Sequence, residues 1–278
     1  MTKRRMRALL FSLVMIAVLL LAACAPESDQ AAEPAADSTE DEEKIFEAVA
    51  ETLPISQPDE AYALLRQETD EADWGNYADA TAQVDTQNTA RAAFSIGVRG
   101  TNAILLTALG RPDEAQTVAD AIVRGAESLS IETDEIVSLV GRLQTALESD
   151  SAGANREARV ILSSIQAELV RALQDLDDDT AAHNLQLGAW LESLYQGSGI
   201  VRDDYSERAS SLFRRQSEVA TFVQVYAPLA VEDETYQPVV DSLLAIGEAM
   251  TSSTDRVIPR DQIETIHSIA GDLRNEWL

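Results

Sequence analysis

Apolar residues recur at helical spacing along nearly the whole chain after Lys44. Between residues 90 and 109 they form one stripe, and Asn88 stands just before it as a typical N-cap residue. The turn from Gly110 to Glu114 ends this helix and starts another, because glycine suits a left-handed helix end and proline the first helical turn. The same reasoning predicts further helices near 44–53, 58–67, 112–129, 133–147, 158–176, 180–201, 206–214 and 216–226, with two more beginning near 238 and 261.

No run of alternating β-branched residues competes with these helical stripes. The sequence therefore predicts an all-α fold, a multi-helix bundle of antiparallel helices with no sheet. We expect residues 44–278 to form a single all-helical domain.

Small residues mark two segments where helices could pack closely. Ala93, Gly97 and Gly100 share one face of the helix predicted at 90–109, and Gly188 and Ala189 lie on the helix predicted at 180–201. Glycine lowers helix stability by about 1 kcal/mol, so its presence inside a helix indicates that another backbone comes near. These two helices are therefore predicted to be central in the bundle and adjacent to one another.

Composition excludes several classes of protein. The 278 residues carry 21 basic against 48 acidic side chains, a net charge of −27, which disfavours nucleic acid as a partner. One cysteine and two histidines make a disulfide scaffold or a Cys/His zinc site untenable. Glu264 and His267 have the Glu-x-x-His spacing of di-iron bundles, but such bundles need two copies of it, so we expect no metal and a solvent-facing pair.

The N-terminus has the pattern of an exported protein. Four basic residues lie within the first seven positions, and residues 8–23 carry no charge. Leu21, Ala22 and Ala23 then precede Cys24, the single cysteine of the chain. This arrangement resembles the bacterial lipoprotein signal, in which a leucine and two small residues precede the cysteine that becomes lipidated.

The resemblance implies three segments. Residues 1–23 are the signal peptide, residues 24–43 are the lipidated Cys24 followed by a disordered acidic tether, and residues 44–278 are the folded domain. The covalent lipid on Cys24 would be the sole prosthetic group and would make the membrane the first partner of the chain. The residue after the cysteine is Ala25 rather than aspartate, which favours the periplasmic side of the outer membrane in a Gram-negative host.

The folded part also resembles a group of all-helical bacterial lipoproteins of unassigned activity. The similarity lies in the segment from Ile96 to Asn102 and the segment from Leu187 to Tyr195, and it extends over about residues 85–230. The chain departs from the group in having Thr101 and Asn102 where an Ala-Asp pair is usual. The resemblance implies fold and location, and it assigns no catalytic residue.

Polar residues on the two central helices are the candidates for a site. We weigh two interpretations of them. In the first, Arg99 and Glu192 form a structural ion pair inside the bundle. In the second, a small polar pocket is lined by four side chains: Asn102, Trp190, Glu192 and Tyr195.

The functional expectation is an envelope lipoprotein that acts as a non-enzymatic binding or adaptor module for an envelope protein or a small ligand. Two alternatives remain open. One is an enzyme with a carboxylate-lined cleft between helices, and the other is a structural component of an envelope assembly.

Overall fold

Helices account for almost all of the regular structure in the described part of the chain. The computed structural model describes residues 58–69, 74–81, 83–85, 88–149, 151, 153–251 and 257–278. The predicted signal peptide, Cys24, the tether and the helix predicted at 44–53 all lie outside these residues. The described residues belong to one compact unit, Ala48–Leu278, and they contain no strand.

The fold is an all-α helical bundle, as the apolar stripes predict. Short 3-10 turns lie at Trp74–Tyr77 and Glu234–Tyr236. The α-helices are α1 Pro58–Glu68, α2 Thr89–Ala108, α3 Pro112–Ser128, α4 Asp134–Leu147, α5 Ala154–Asp175, α6 Asp179–Asp203, α7 Glu207–Ser211, α8 Gln216–Glu232, α9 Gln237–Thr251 and α10 Arg260–Trp277.

The helix ends follow the local chemistry of the sequence. The Asn88 side chain accepts hydrogen bonds from the first-turn amides of Ala90 and Arg91, which caps α2. Gly110 ends the following turn with φ +69°, a conformation that favours glycine, and Pro112 opens α3. Asp178 caps α6 by accepting from the amide of Ala181.

The central pair of helices is α2 and α6, which pack with their backbones in close approach. A Cβ atom added at Gly97 would lie 2.0 Å from the carbonyl oxygen of Leu185, and one added at Gly188 would lie 2.1 Å from that of Phe94. The prediction that these two helices are central and adjacent is therefore confirmed. Glycine at both positions is what allows the contact, since any larger side chain would force the helices apart.

The direction of the central pair is a structural finding of its own. Residue numbers rise together along the interface, from Phe94 beside Gly188 to Asn102 beside Glu192, so α2 and α6 run parallel. Helices joined by short turns, such as α2 and α3, reverse direction instead. α10 runs antiparallel to α6, and its Arg274 reaches Glu192.

One stretch between α1 and α2 is not α-helical and lies across the bundle. We call it the strap, residues 74–85, of which residue 82 lies outside the described part. Its Trp74 and Tyr77 are buried, and its described residues after Tyr77 belong to no helix or strand. Among the described residues, no helix is long and apolar enough to cross a membrane.

Candidate functional site

Glu192 is at the centre of a buried polar network between α2, α6 and α10. Its side chain has no exposed surface. One carboxylate oxygen accepts from Asn102 Nδ2 at 2.7 Å and from Gln196 Nε2 at 2.8 Å, and the other accepts from Arg274 Nε. Because all three partners donate, the geometry is that of an ionised carboxylate. We call Tyr62, Asp79, Arg99, Asn102, Glu192, Gln196 and Arg274 the core network.

A second carboxylate, Asp79 on the strap, completes the charges of this network. Its Oδ2 accepts from Arg99 Nη1 at 2.7 Å and from Arg274 Nη2 at 3.2 Å, so two guanidinium groups face two carboxylates. Its backbone N–H donates to Asn102 Oδ1 at 2.9 Å. The network is thus electrically balanced, which is the condition under which buried charges are tolerated.

The two carboxylates have opposite pKa shifts. Burial raises the pKa of the Glu192 carboxyl above its ordinary value, opposed by the charge and hydrogen bond of Arg274. Burial also acts to raise the pKa of Asp79, but hydrogen bonds from Thr81 and the nearby Arg99 outweigh it and hold that pKa well below its usual range. The charged form of Asp79 is therefore favoured.

Tyr62 and Gln196 close the network at the α1 side. The Tyr62 hydroxyl donates to Gln196 Oε1, and Gln196 Nε2 also donates to Asn102 Oδ1 at 2.8 Å. Burial raises the pKa of the Tyr62 hydroxyl, and the negative charge of Glu192 raises it further. The phenol is therefore neutral and acts as a donor.

The prediction of an ion pair between Arg99 and Glu192 is wrong, because each residue pairs with a different partner. Arg99 pairs with Asp79 and Glu192 pairs with Arg274, so the two predicted residues belong to one network without pairing directly. The reason is the strap, which brings a carboxylate to Arg99 that helix periodicity could not reveal.

The residues of the predicted polar pocket contact different parts of the bundle. Asn102 and Glu192 touch one another in the sealed core. Trp190 lies two residues earlier on the helix, packs on Phe222 and donates its Nε1 proton to Glu218 Oε2 at 2.7 Å. The four predicted residues therefore do not line one pocket.

Tyr195, the fourth predicted pocket residue, belongs to an aromatic cluster on the α10 side. Its ring stacks on His267 with centroids 4.5 Å apart, and Arg274 lies over the same ring at 5.5 Å. His267 is half-buried with Nδ1 3.0 Å from the Tyr195 carbonyl oxygen, while Glu264 is exposed. The prediction of a solvent-facing Glu264 and His267 pair is therefore wrong for the histidine.

Four members of the core network were missed by sequence reasoning: Tyr62, Asp79, Gln196 and Arg274. Gln196 was detectable, because it follows Glu192 by four residues and so shares its helix face. Arg274 follows Ala270 by four residues on the buried stripe of α10. Asp79 had no such signal, since its segment has no helical period.

An open cleft of about 560 Å³ lies at the end of the bundle where α2 and α6 begin and α10 ends. We call it the end cleft. Its lining includes the carboxylates of Asp178, Asp233 and Glu276, one arginine, Arg91, and the aromatic residues Tyr236 and Trp277.

Comparisons with known proteins found no relative of this chain. No family model, no curated protein and no solved structure matches it. Within the described residues, no group of three or more histidine, cysteine, aspartate or glutamate side chains is arranged to hold a metal ion.

Proposed function

We propose that the chain is an envelope lipoprotein whose helical body is a non-enzymatic binding module held outside the cytoplasm. The observation that carries the proposal is the position of Cys24, the one cysteine in the chain, directly after Leu21, Ala22 and Ala23. A single acyl chain anchors a protein only marginally, whereas several chains on one residue anchor it stably. The resemblance to all-helical bacterial lipoproteins supports the same proposal.

The location follows from the same residues. With the first 23 residues removed, 17 basic side chains face 48 acidic ones, and the acidic tether holds the body away from anionic headgroups. Ala25 after the lipidated cysteine supports the outer membrane, on its periplasmic side, in a host that has one.

Metabolic labelling tests the anchor. Cells that express the full chain are grown with radiolabelled palmitate, and the wild-type protein is expected to carry label and to sediment with membranes. Cys24→Ser is expected to lose both, while the matched tether variant Ser28→Ala keeps both. Label that persists in Cys24→Ser, or that is missing from the wild type, contradicts the proposal.

The end cleft is the proposed ligand surface of the body. Its volume of about 560 Å³ is in the range of small-molecule sites. Three carboxylates against one arginine favour a ligand with positive charge, such as an amine or a basic side chain. The amides at the start of α2 and α6 already bond to Asn88 and Asp178, which reduces what the helix starts offer to an anion.

Titration calorimetry with spermidine, on the detergent-solubilised full chain, tests the ligand class. Binding is expected to weaken in Glu276→Gln, whose carboxylate lines the cleft, and to persist in Glu264→Gln on the exposed face of the same helix. Equal weakening in the two variants indicates attraction by net charge alone and contradicts a specific site.

One observation favours a second candidate, an enzyme with carboxylates in an interhelical cleft. The end cleft has three carboxylates, and carboxyl groups can serve as acid and base although these three are not arranged as a metal-ligand group. Assays of the purified full chain with chromogenic ester and glycoside substrates separate the two candidates: turnover that is lost in Glu276→Gln supports the enzyme over the binding module.

A further inference from the structure

The strap is held to the bundle by side chains of other segments rather than by a ladder of backbone bonds. Asp79 N–H donates to Asn102 Oδ1 at 2.9 Å, and Asp85 N–H donates to Ser95 Oγ at 3.4 Å. A side chain of α2 also donates to the strap backbone, since Arg99 Nε bonds the carbonyl oxygen of Gln83 at 3.0 Å. Polar side chains of the bundle thus bond the backbone of a segment outside the α-helices, as a groove does with a bound peptide.

Two side chains of the strap fill notches that glycines leave in the helices. The Tyr77 ring lies on α6 at Gly199, where an added Cβ atom would be 2.1 Å from the ring. Val84 lies on α3 at Gly125, with 3.0 Å between its Cγ1 and an added Cβ. Both notches exist only because these positions have no side chain, so the surface under the strap is shaped as a receptor for it.

The strap also makes an electrostatic contact with the bundle. Asp79 lies between Arg99 and Arg274, and the Arg99 side chain is 7% exposed. Without Asp79, two guanidinium groups would face one carboxylate, Glu192, leaving a positive groove in a chain of net charge −27. While the strap is in place it shields Arg99 from water, so pairing with Asp79 offsets the cost of burying the guanidinium. With the strap released, the same two arginines would present positive charge to a carboxylate of a partner.

Release of the strap would expose Trp74 and Tyr77 but would require no α-helix to unfold. Its bonds to the bundle are made largely by side chains, and the Asp79 side chain is 32% exposed at the groove mouth. Segments with few backbone bonds and partial exposure open at a lower free energy than the core does. α2, α6 and α10 keep their own backbone bonds when it opens.

We propose that the groove between α2, α6 and α10 is a binding site for an acidic peptide segment, which the strap occupies in cis. Asp79 supplies the carboxylate to Arg99 and Arg274, and Tyr77 fills the notch at Gly199. An acidic segment of a partner protein takes the same place when the strap opens. This site is separate from the end cleft and does not depend on a ligand there.

Competition by the strap's own sequence tests the exchange. The probe is a fluorescent, acetylated and amidated peptide with the sequence of residues 74–85, and fluorescence anisotropy measures its binding to the detergent-solubilised full chain. Asp79→Asn weakens the strap in cis, so the peptide is expected to bind this variant about tenfold more tightly than the wild type. Asp272→Asn, which removes an exposed charge from α10, is the matched control and should bind as the wild type does.

The peptide also has its own control, in which asparagine replaces the residue that corresponds to Asp79. This peptide is expected to lose the binding, because it brings no carboxylate to the two arginines. Equal binding of the two peptides overturns the proposal, as does failure of the strap peptide to bind an Asp79→Asn protein that is folded by circular dichroism.

Amide hydrogen exchange on the wild-type protein tests the opening of the strap even if the Asp79→Asn variant does not fold. The amides of Asp79 and Asp85 are bonded to the bundle, so they exchange only when the strap opens. Exchange at least about tenfold faster than that of the central α2 amides supports a strap that is released locally. Exchange of all these amides at one common rate overturns the proposal.

Discussion

Asn102 and Glu192 lie 90 residues apart in sequence and form a hydrogen bond of 2.7 Å in the centre of the bundle. Asn102 is on α2 and Glu192 on α6, so the bond joins the two parallel helices at the point where Arg274 of α10 also arrives. The contact converts two polar residues, which would oppose burial separately, into part of a balanced network.

The first prediction concerns the charge of Glu192. Glu192→Gln keeps the size of the side chain but leaves Arg274 with Asp79 as its one remaining carboxylate partner. Its amide NH2 also faces a donor in either orientation, Arg274 in one and Asn102 with Gln196 in the other. We expect a loss of about 3–5 kcal/mol in the free energy of unfolding, measured by urea denaturation followed by circular dichroism.

Its control is the exposed Glu264→Gln on α10, which should change the free energy of unfolding by less than about 0.5 kcal/mol. A Glu192→Gln protein as stable as the control would show that the carboxylate is not ionised inside the bundle.

The second prediction concerns the close approach of α2 and α6. Gly188→Ala would place a Cβ atom 2.1 Å from the Phe94 carbonyl oxygen, a contact that neither backbone can relieve locally. We expect the variant to lose cooperative thermal unfolding or to lose more than about 3 kcal/mol of stability.

Gly141→Ala is the matched comparison, since Gly141 lies within α4 with no atom within 4 Å of an added Cβ. There the same substitution should raise stability by roughly 1 kcal/mol, because alanine is the better helix former. Opposite signs at the two glycines are the expected outcome, and equal effects would contradict the packing.

Much of the fold was predictable because its signals are local. The cap at Asn88, the turn at Gly110 and the apolar stripe of each long helix depend on residues within a few positions of one another. The small residues of α2 and α6 even predicted a contact between helices. Gly97 and Gly188 do meet a neighbouring backbone, whereas Gly141 of α4 has no neighbour at all, so the signal lay in small residues on two helices rather than in a single glycine.

The features that were not predictable depend on contacts distant in sequence. α8 continues through Pro228 to Glu232, beyond its predicted end near residue 226, although proline removes one backbone donor. α7 ends at Ser211 rather than near 214, because the chain turns at Phe213, which is buried. The strap had no periodicity, and so its Asp79, the partner of Arg99, could not be predicted.

The third prediction concerns Glu218 on α8, a buried carboxylate that is not part of the core network. It accepts from Trp190 Nε1 at 2.7 Å and is 5% exposed. Trp190→Phe keeps an aromatic ring but removes the donor, which should cost about 1–3 kcal/mol of unfolding free energy beyond the lost ring area. A double-mutant cycle with Glu218→Gln measures the coupling directly, and a coupling near zero would refute the importance of this bond.

The fourth prediction concerns pH and His267. Burial lowers the pKa of the His267 imidazole, opposed by the hydrogen bond with the Tyr195 carbonyl, while the Arg202 charge lowers it and the Asp203 charge raises it. The unfolded chain therefore binds a proton near pH 6.5 that the folded chain binds only at lower pH. Stability from this residue is complete above about pH 6.5 and is lost as the pH falls below it.

Urea denaturation at a series of pH values between about 7.5 and 5.5 measures this loss. His267→Gln, which does not titrate, is expected to lose less stability over that range than the wild type does. Burial also lowers the pKa of the half-buried His183, opposed by Asp179, so His183→Gln should reduce the slope in the same direction. These are the two histidines of the chain, and with both replaced the histidine part of the slope should vanish. An unchanged slope in His267→Gln would mean that the stacked imidazole titrates as freely in the folded protein as in the unfolded chain.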